Sequence, residues 1–213
     1  MCTPMDLLTH ALDTLDVAAT PESLADSDGH HPPRARVVAV LVGLPGAGKS
    51  TFAAALGSTT ARAGVNGRGV ALPPGRSGWI RISQDVLGKR PRCEAAAKMA
   101  LAAGFDVVVD RCNFDAQQRS HWLHLAKDGA ARIVAVHLQL PMDEASVRAF
   151  ARESHEGGVD RRMGKKKVAK IVSMVNKGSE PPTNVEGFTE VLVVTDDASR
   201  DEALARLRVL TVG

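Results

Sequence analysis

The chain has 213 residues, of which 44% are hydrophobic and 24% charged, and this is enough to bury the core of one domain. The apolar run at residues 37–42 is far shorter than the roughly 18–20 residues of a membrane span, and the pattern of a secretory signal is missing. Three widely spaced cysteines argue against a disulfide framework or a structural zinc site and favour an intracellular, reducing compartment.

The net charge of +3 is unevenly distributed along the chain. Residues 1–33 contain six acidic residues and no lysine or arginine, which leaves all 27 basic and 18 of the 24 acidic residues in the rest. A basic body suits a polyanionic ligand, although the same charge also aids solubility. We predict an acidic extension over residues 1–33, made of a helix and a polar linker, and a folded domain over residues 34–213.

The body of the chain alternates short apolar strands with amphipathic helices. Strands are predicted at residues 36–42, 78–83, 105–110, 132–138 and 190–195. Helices are predicted at residues 49–62, 92–103, 115–127, 143–152, 166–176 and 199–209. Nearly continuous Val and Ile runs with helices between them predict a three-layer α/β domain, with a parallel β-sheet flanked by helices. The glycine-rich residues 57–78 are predicted to form a mobile surface loop.

A phosphate-binding pattern follows the first predicted strand. Residues 43–50 read G-L-P-G-A-G-K-S and match G-x-x-x-x-G-K-[ST] in full, in the strand-to-helix context that the pattern requires. We expect Lys49 to neutralise the β- and γ-phosphates and Ser50 to hold Mg²⁺. The sequence therefore predicts a nucleoside triphosphate site, whose residues are Gly43, Pro45, Gly46, Ala47, Gly48, Lys49, Ser50 and Thr51.

Two acidic residues are predicted at the same edge of the sheet. Asp85 follows the strand at 78–83, where it is placed either to accept the proton of an attacking hydroxyl or to cap the next helix. Asp110 ends the strand at 105–110 in the manner of a Walker B carboxylate that orders Mg²⁺, the alternative being an ordinary polar strand end. Farther along, Asn113 and Asp115 precede a helix, and we expect at least one of them to cap it.

Two further features of the sequence narrow the use of the triphosphate. The guanine-binding pattern N-K-x-D is missing, because residues 176–179 read N-K-G-S and lack the aspartate. Eight basic and three acidic residues lie between Arg148 and Lys170, around the pair Gly157-Gly158, which predicts a helical basic lid. A lid arginine would stabilise the transferring phosphoryl group and other bases a polyanionic acceptor, the alternative being a solvated helix end.

The sequence resembles the kinase domain of polynucleotide kinase/phosphatase enzymes and related modules joined to aprataxin-like proteins. The resemblance covers about residues 37–195 and is carried by GLPGAGKST at 43–51, ISQDVLGKRPRCEAAAKMAL at 82–101, DVVVDRCNFDAQQRSHWLHLA at 106–126 and EPPTNVEGFTEVLVV at 180–194. It implies a P-loop NTPase-type fold and ATP-dependent phosphorylation of the 5′-hydroxyl end of DNA or RNA, as in end repair.

The resemblance also implies roles for individual residues. Asp85 would be the general base, Lys49 and Ser50 would bind ATP and Mg²⁺, Asp110 would order the metal, and the lid arginine would be Arg152. Arg111, Asn113 and Arg148 are the further residues expected to bind the acceptor.

Neither the D-x-D-x-T segment of a phosphatase nor the H-x-H-x-H signature of an adenylate hydrolase is found, so neither activity is predicted. Two alternatives stay open: a kinase of a small-molecule acceptor such as a sugar, nucleoside or nucleotide, and a nucleotide-dependent nucleic-acid-binding module with little turnover. We expect a monomer that works in the nucleus or cytoplasm, away from membranes.

Overall fold

The computed structural model of the protein describes residues 34–63, 70–71 and 78–211. The acidic extension predicted for residues 1–33 lies outside the described residues. No helix in the described part of the chain is both long and apolar enough to cross a membrane.

The central element is a parallel sheet. Its strands are β1 (Val37–Val42), β2 (Thr59–Thr60), β5 (Trp79–Ser83), β6 (Asp106–Asp110), β7 (Arg132–Leu138) and β8 (Glu190–Val194). They are arranged in the order β2-β5-β6-β1-β7-β8, with every neighbouring pair parallel. The two remaining strands, β3 (Arg62–Ala63) and β4 (Val70–Ala71), pair with each other antiparallel.

Helices connect the strands of the sheet. They are α1 (Lys49–Ala55), α2 (Gln84–Leu87), α3 (Arg90–Ala102), α4 (Ala116–Asp128), α5 (Met142–Ala151), α6 (Lys165–Lys177) and α7 (Asp197–Leu210). Short 3-10 turns occupy Arg161–Met163 and Asn184–Glu186.

Strand β1 explains why the sheet needs helices on both faces. All six of its side chains are fully buried, and they alternate between two hydrophobic clusters. Val38 packs in the cluster that contains Trp122 of α4, whereas Leu41 packs in the cluster that contains Phe52 of α1. An apolar residue at every position is what a strand covered on both faces requires. The fold is therefore the expected three-layer α/β, P-loop NTPase-type domain.

The predicted strands are confirmed to within one residue, and the last five predicted helices to within two. The first helix was predicted too long: it ends at Ala55, because Gly57 adopts φ +74° and Thr59–Thr60 then join the sheet beside β5. Two β-branched residues favour this edge strand over a continued helix. The loop predicted at residues 57–78 is corrected accordingly, since it contains β2 and the β3–β4 pair.

A third hydrophobic cluster anchors the basic lid. It joins Leu44 of the phosphate loop to Ala145 and Ala149 of α5 and to Val168 and Val172 of α6. Helices α5 and α6 thus pack on the loop that binds phosphate, and the segment between them, residues 152–164, lies next to it.

Candidate active site

The phosphate loop between β1 and α1 depends on glycine. Gly46 has φ +97°, and a Cβ atom there would collide with the backbone carbonyl of Ala145. Gly48, which precedes the first residue of α1, has φ +90°. The positive φ at both positions, together with the close contact of Gly46 with α5, explains why the pattern has glycine there.

Lys49 lies inside this loop. Its side chain is 8% exposed, and its Nζ donates hydrogen bonds to the carbonyl oxygens of Gly43 at 2.9 Å and Leu44 at 2.7 Å. These two neutral carbonyl acceptors hold the ammonium group near the N-terminus of α1. A phosphate oxygen entering the loop would provide the stronger, charge-assisted partner.

A cleft of about 280 Å³ opens beside the loop. Predicted residues that line it, besides Pro45 and Gly46, are Lys49, Ser50, Asp85, Asp110, Arg111 and Arg152. The structure thus brings the loop, both predicted carboxylates and the predicted lid arginine to one site, at the carboxyl edge of the sheet where ligands bind in such folds.

Asp85 lies in the first turn of α2 and is not the residue that caps it, because the N-cap position is Ser83. Its side chain is 41% exposed and, among the described residues, accepts no hydrogen bond. The Nδ1 atom of His155 lies 3.7 Å from its Oδ2 atom. Asp85 therefore presents to the cleft a carboxylate that accepts no hydrogen bond from the described residues, and the alternative interpretation as a helix cap is wrong.

Asp110 is buried and paired with Arg81. Its Oδ2 accepts from Nε of Arg81 at 2.7 Å and lies 2.6 Å from Nη2. Arg81 also reaches Glu156 of the lid segment, 3.1 Å away. Burial by itself lowers the pKa of Arg81, but the Asp110 and Glu156 carboxylates outweigh it and raise that pKa above its ordinary value. Sequence analysis did not identify Arg81 as a site residue, although a single charged residue in an apolar strand could have indicated it.

Arg152 follows α5 and is half-buried in the cleft. Burial lowers the pKa of its guanidinium, while the negative charges of Asp110 and Asp85 oppose that shift. Both carboxylates are therefore within electrostatic reach of Arg152. Within the part of the chain that the structure describes, its side chain donates no hydrogen bond, which leaves the guanidinium available to a ligand.

The lid segment, residues 152–164, is shaped by Asp160, which has no exposed surface. Its carboxylate accepts from the backbone N–H of His155 at 2.9 Å and from the guanidinium of Arg162 at 2.6 Å. These bonds, above all those from Arg162, hold the pKa of Asp160 well below its usual range. In turn Nδ1 of His155 accepts from the N–H of Gly157 at 3.1 Å, and burial lowers the pKa of His155. Asp160 and His155 were not singled out from the sequence, whereas Gly157 was noted only as part of the Gly157-Gly158 pair of the lid.

Arg111 is partly buried beside Asp110. Burial lowers the pKa of its guanidinium, and the Nη1 atom is buried without a hydrogen-bond partner. Its side chain also lies near Cys93 of α3 and its neighbour Cys112. The prediction that it belongs to the site is consistent with its position in the cleft wall.

Asn113 is placed elsewhere, and its assignment to the acceptor site is wrong. It is fully buried with φ +44°, and its Nδ2 donates to the carbonyl of Leu41 at 2.8 Å. Its Oδ1 accepts from the indole N–H of Trp122 at 3.1 Å. Both ends of the amide are used in the core. Asp115 is the N-cap of α4 and accepts from the N–H of Gln118, so one of the two expected caps is confirmed.

Arg148 is also corrected. Its side chain is exposed, pairs with Glu144 at 2.6 Å and does not line the cleft. It lines a separate groove with Ala47, Gly48 and Thr51 of the phosphate loop and with the residues that connect β8 to α7. Arg148 is therefore outside the cleft that Asp85 lines.

Comparison with known proteins identifies the family. Residues 38–173 match the family described as AAA domain. The chain belongs to this family. The match spans the phosphate loop, both carboxylates and the lid, so the AAA domain is a kinase-like P-loop domain that binds nucleotides.

Two relatives match over much of this AAA domain. The chain is 30% identical over 174 residues to a protein named transcription factor bHLH140 of Arabidopsis thaliana. This match covers 79% of this chain and 17% of that protein. It is 29% identical over 155 residues to the bifunctional polynucleotide phosphatase/kinase of Schizosaccharomyces pombe. This match covers 72% of this chain and 32% of that protein. The chain thus spans less than a third of either relative. The expected link to aprataxin-like proteins is not tested by these relatives and stays a prediction.

Two solved structures share the fold of this AAA domain. Chaetomium thermophilum Kti12 in complex with ADP-AlF3 is 18% identical with a TM-score of 0.57, over 83% of this chain and all of that one. The Mycobacterium tuberculosis APS kinase CysC, in complex with AMPPNP and APS, is 17% identical with a TM-score of 0.52, over 85% of this chain and all of that one. Both likenesses confirm the P-loop NTPase-type fold.

Proposed function

We propose that this chain is an ATP-dependent kinase that transfers the γ-phosphate to the 5′-hydroxyl end of DNA or RNA, as a monomer acting in nucleic-acid end repair. One observation carries the proposal: the carboxylate of Asp85, 41% exposed, lines the same cleft as Lys49 of the phosphate loop. A base beside a triphosphate site is the arrangement that transfer to a hydroxyl needs.

Lys49 and Ser50 would hold the triphosphate with Mg²⁺. The described residues contain no group of three or more His, Cys, Asp or Glu side chains that would hold a metal unaided. Mg²⁺ does not need one, because it is bound by one or two protein oxygens together with phosphates and water. The hydroxyl of Ser50 and the carboxylate of Asp110 line the same cleft and fit this role. When bound, the ion would neutralise charge on the β- and γ-phosphates.

The chemical step follows from the residues around the cleft. The O–H bond of the 5′-hydroxyl breaks as its proton passes to the carboxylate of Asp85. The hydroxyl oxygen bonds to the γ-phosphorus, and the bond from that phosphorus to the β–γ bridging oxygen breaks, so that ADP leaves. Arg152 would stabilise the charge on the transferring group, and Lys49 would stabilise that on the leaving phosphate.

Two further observations support a nucleic-acid acceptor. The relative from Schizosaccharomyces pombe is named as a polynucleotide kinase, and it matches 72% of this chain. In addition, α6 begins with an exposed basic group made of Lys165, Lys166, Lys167 and Lys170. A cluster of exposed lysines can bind phosphate backbones independently of sequence.

The groove lined by Arg148 is where we place the nucleoside part of ATP. It is lined by Gly48 and Thr51 of the phosphate loop and by Arg200 of α7, and Asp85 does not line it. An acceptor in the cleft and a nucleoside in this groove would then approach the γ-phosphate from opposite sides, as in-line transfer requires.

The test is transfer of labelled γ-phosphate from ATP·Mg²⁺ to 5′-hydroxyl oligonucleotides of DNA and RNA. We expect labelling that needs both the free hydroxyl and Lys49, so that 5′-phosphorylated oligonucleotides and the Lys49→Ala variant give none. Labelling of a sugar or nucleoside with equal efficiency would instead favour a small-molecule kinase. Tight, ATP-dependent binding of oligonucleotides without product would favour a binding module.

A further inference from the structure

His155 of the lid segment lies beside the proposed base, and the fold of that segment fixes its position. Its Nδ1 atom is 3.7 Å from Oδ2 of Asp85, and its side chain is only 20% exposed. The backbone N–H of His155 donates to the buried carboxylate of Asp160 at 2.9 Å. Arg162 donates further bonds to that carboxylate from its backbone N–H, its Nε and its Nη2. Asp160 and Arg162 therefore hold the backbone that carries the imidazole.

The Nδ1 atom of His155 is a hydrogen-bond acceptor, since it accepts from the backbone N–H of Gly157 at 3.1 Å. A ring nitrogen that accepts a hydrogen bond carries no proton, so the imidazole is neutral and its proton lies on Nε2. The same bond holds Gly157 close to the base, where a Cβ atom at residue 157 would be 2.5 Å from Oδ1 and 2.6 Å from Oδ2 of Asp85. The neutral imidazole thus keeps the lid segment against the base.

Protonation of Nδ1 would change the contacts of His155 with both Gly157 and Asp85. A ring nitrogen that carries a proton cannot accept from the N–H of Gly157, and it becomes a donor 3.7 Å from Oδ2 of Asp85. A cation so near favours the charged form of a carboxylate and makes that carboxylate a weaker base. The protonated ring would therefore loosen the lid segment and, at the same time, lower the basicity of Asp85.

The surroundings of His155 favour the neutral ring at neutral pH. Burial lowers the pKa of His155, and the charge of Arg152 lowers it further. The negative charges of Asp85, Asp110 and Glu156 act in the opposite direction, but the balance leaves this pKa below its ordinary value of 6.5. The ring is therefore neutral at pH 7 and becomes protonated only in more acidic solution.

We propose that His155 is a positioning residue for Asp85: the neutral ring holds Gly157 over the base, whereas the protonated ring would release Gly157 and pair with the base. This inference rests on the proposed function and deepens it, because transfer then requires an unprotonated His155 as well as a charged Asp85. His155 acts only through Asp85 and the lid segment, and it is assigned no contact with ATP or with the acceptor.

The experiment measures transfer of labelled γ-phosphate to a 5′-hydroxyl oligonucleotide between pH 8.5 and pH 5, in the wild type and in His155→Asn. If only the unprotonated ring supports transfer, kcat/KM of the wild type falls about tenfold for each pH unit below the pKa of His155. Asparagine places an amide oxygen near the position of Nδ1, and this oxygen accepts a hydrogen bond but takes no proton in this range. We therefore expect His155→Asn to retain most of the transfer at pH 8 and to lose much less of it at acidic pH. Both proteins receive the same substrates, so the difference between the two profiles belongs to residue 155.

A second variant, His155→Phe, keeps a ring at residue 155 and removes the acceptor. We expect it to lower kcat about tenfold or more at every pH, because Gly157 loses the bond that holds it over the base. The matched control is His124→Asn, at an exposed histidine of α4 that does not line the cleft, and it should keep the wild-type profile. Thermal unfolding shows whether each variant is folded, and His155→Asn carries the test if His155→Phe does not fold.

Two results would overturn the inference. One is a pH profile of the same shape in His155→Asn and in the wild type, whether or not the variant is slower, because a merely structural role lowers transfer equally at every pH. The other is a folded His155→Phe that transfers phosphate at the wild-type rate.

A titration without turnover separates this inference from the proposed function. NMR of histidine-labelled protein follows the imidazole of His155, whose signal is the one missing in His155→Asn. Because the charge of Asp85 raises the pKa of His155, Asp85→Asn should lower that pKa, whereas Asp143→Asn at an exposed acid of α5 should not. Such a coupled titration without any transfer would support the contact between His155 and Asp85 and contradict the kinase. Transfer without a coupled titration would support the kinase and overturn the inference, and the absence of both would contradict both.

Discussion

The backbone of Gly157 lies directly over the carboxylate of Asp85: a Cβ atom at residue 157 would be 2.5 Å from the Asp85 Cγ. Only glycine allows the lid segment to approach the proposed base this closely. Because the backbone of Gly157 is not in the left-handed region, alanine would be excluded there by contact and not by φ. The lid and the base are thus fitted to each other.

We expect Gly157→Ala to lower kcat by tenfold or more while the affinity for ATP stays unchanged, because the methyl group must displace the lid or turn the carboxylate. Phosphate transfer under saturating substrates measures this effect. The control is Gly129→Ala, where the nearest atom, on Leu101, is 3.4 Å from the added Cβ. An unchanged or higher kcat in Gly157→Ala would show that the lid leaves Asp85 before the reaction.

Asp85→Asn tests the base itself. The amide keeps the shape of the side chain and removes its ability to take a proton, so we expect transfer to fall about 10²- to 10⁴-fold. Since Asp85 accepts no hydrogen bond within the described residues, stability and ATP binding should change little. Asp143→Asn, an exposed acid in the first turn of α5, is the control. Wild-type transfer by Asp85→Asn would remove this residue from the base role.

Asn113→Ala should act on stability. The variant leaves the carbonyl of Leu41 and the indole N–H of Trp122 buried without their partners. We expect the free energy of unfolding to fall by about 2–4 kcal/mol, since each unsatisfied group costs about 1–3 kcal/mol. Denaturant unfolding measures it, with Gln117→Ala on the exposed face of α4 as the control. A loss of transfer at full stability would contradict the structural role and return Asn113 to the acceptor site.

The parts of the site that were predicted from the sequence are those that local patterns determine. The phosphate loop is one contiguous pattern from Gly43 to Ser50, and the local backbone conformation explains its glycines. Asp85 and Asp110 were placed together correctly because parallel strands bring their carboxyl ends to one edge of the sheet. Neither inference needed side-chain packing.

The parts that were missed depend on contacts between residues distant in the chain. Arg81 pairs with Glu156, which is 75 residues away, and no periodicity records such a pair. Asn113 was misassigned because a polar residue after a strand has the same sequence signal whether its amide faces a ligand or the core. The amide is buried because Trp122 of α4 packs against it, and the sequence alone does not show this contact.

His137 on β7 gives a prediction about pH. Burial, with a smaller contribution from the charge of Arg119, lowers its pKa below 6.5. The imidazole of His137 is therefore protonated more readily in the unfolded chain than in the folded one. As the pH falls below 6.5, this difference lowers the free energy of unfolding. We expect unfolding curves between pH 7.5 and pH 5 to show a smaller loss of stability in His137→Gln than in the wild type. The control is His124→Gln, at an exposed histidine, whose free energy of unfolding should depend on pH as in the wild type. The same pH dependence in His137→Gln would contradict the role given to His137.

The guanidinium of Arg111, which has no ion pair or hydrogen bond among the described residues, predicts opposite effects of its replacement on stability and on activity. In the protein without ligands, its buried Nη1 atom costs free energy that a neutral side chain of similar length would not. We expect Arg111→Met to raise the free energy of unfolding by about 0.5–2 kcal/mol, the usual gain when a strained functional site is relieved, and to lower transfer to oligonucleotides. Denaturant unfolding and the transfer assay measure the two effects on the same samples, with Arg81→Met as the contrast. Because Arg81 is paired with Asp110, its removal leaves a buried carboxylate alone and should destabilise the fold by about 3–5 kcal/mol. A destabilised Arg111→Met would mean that the cation already has a partner in the folded chain.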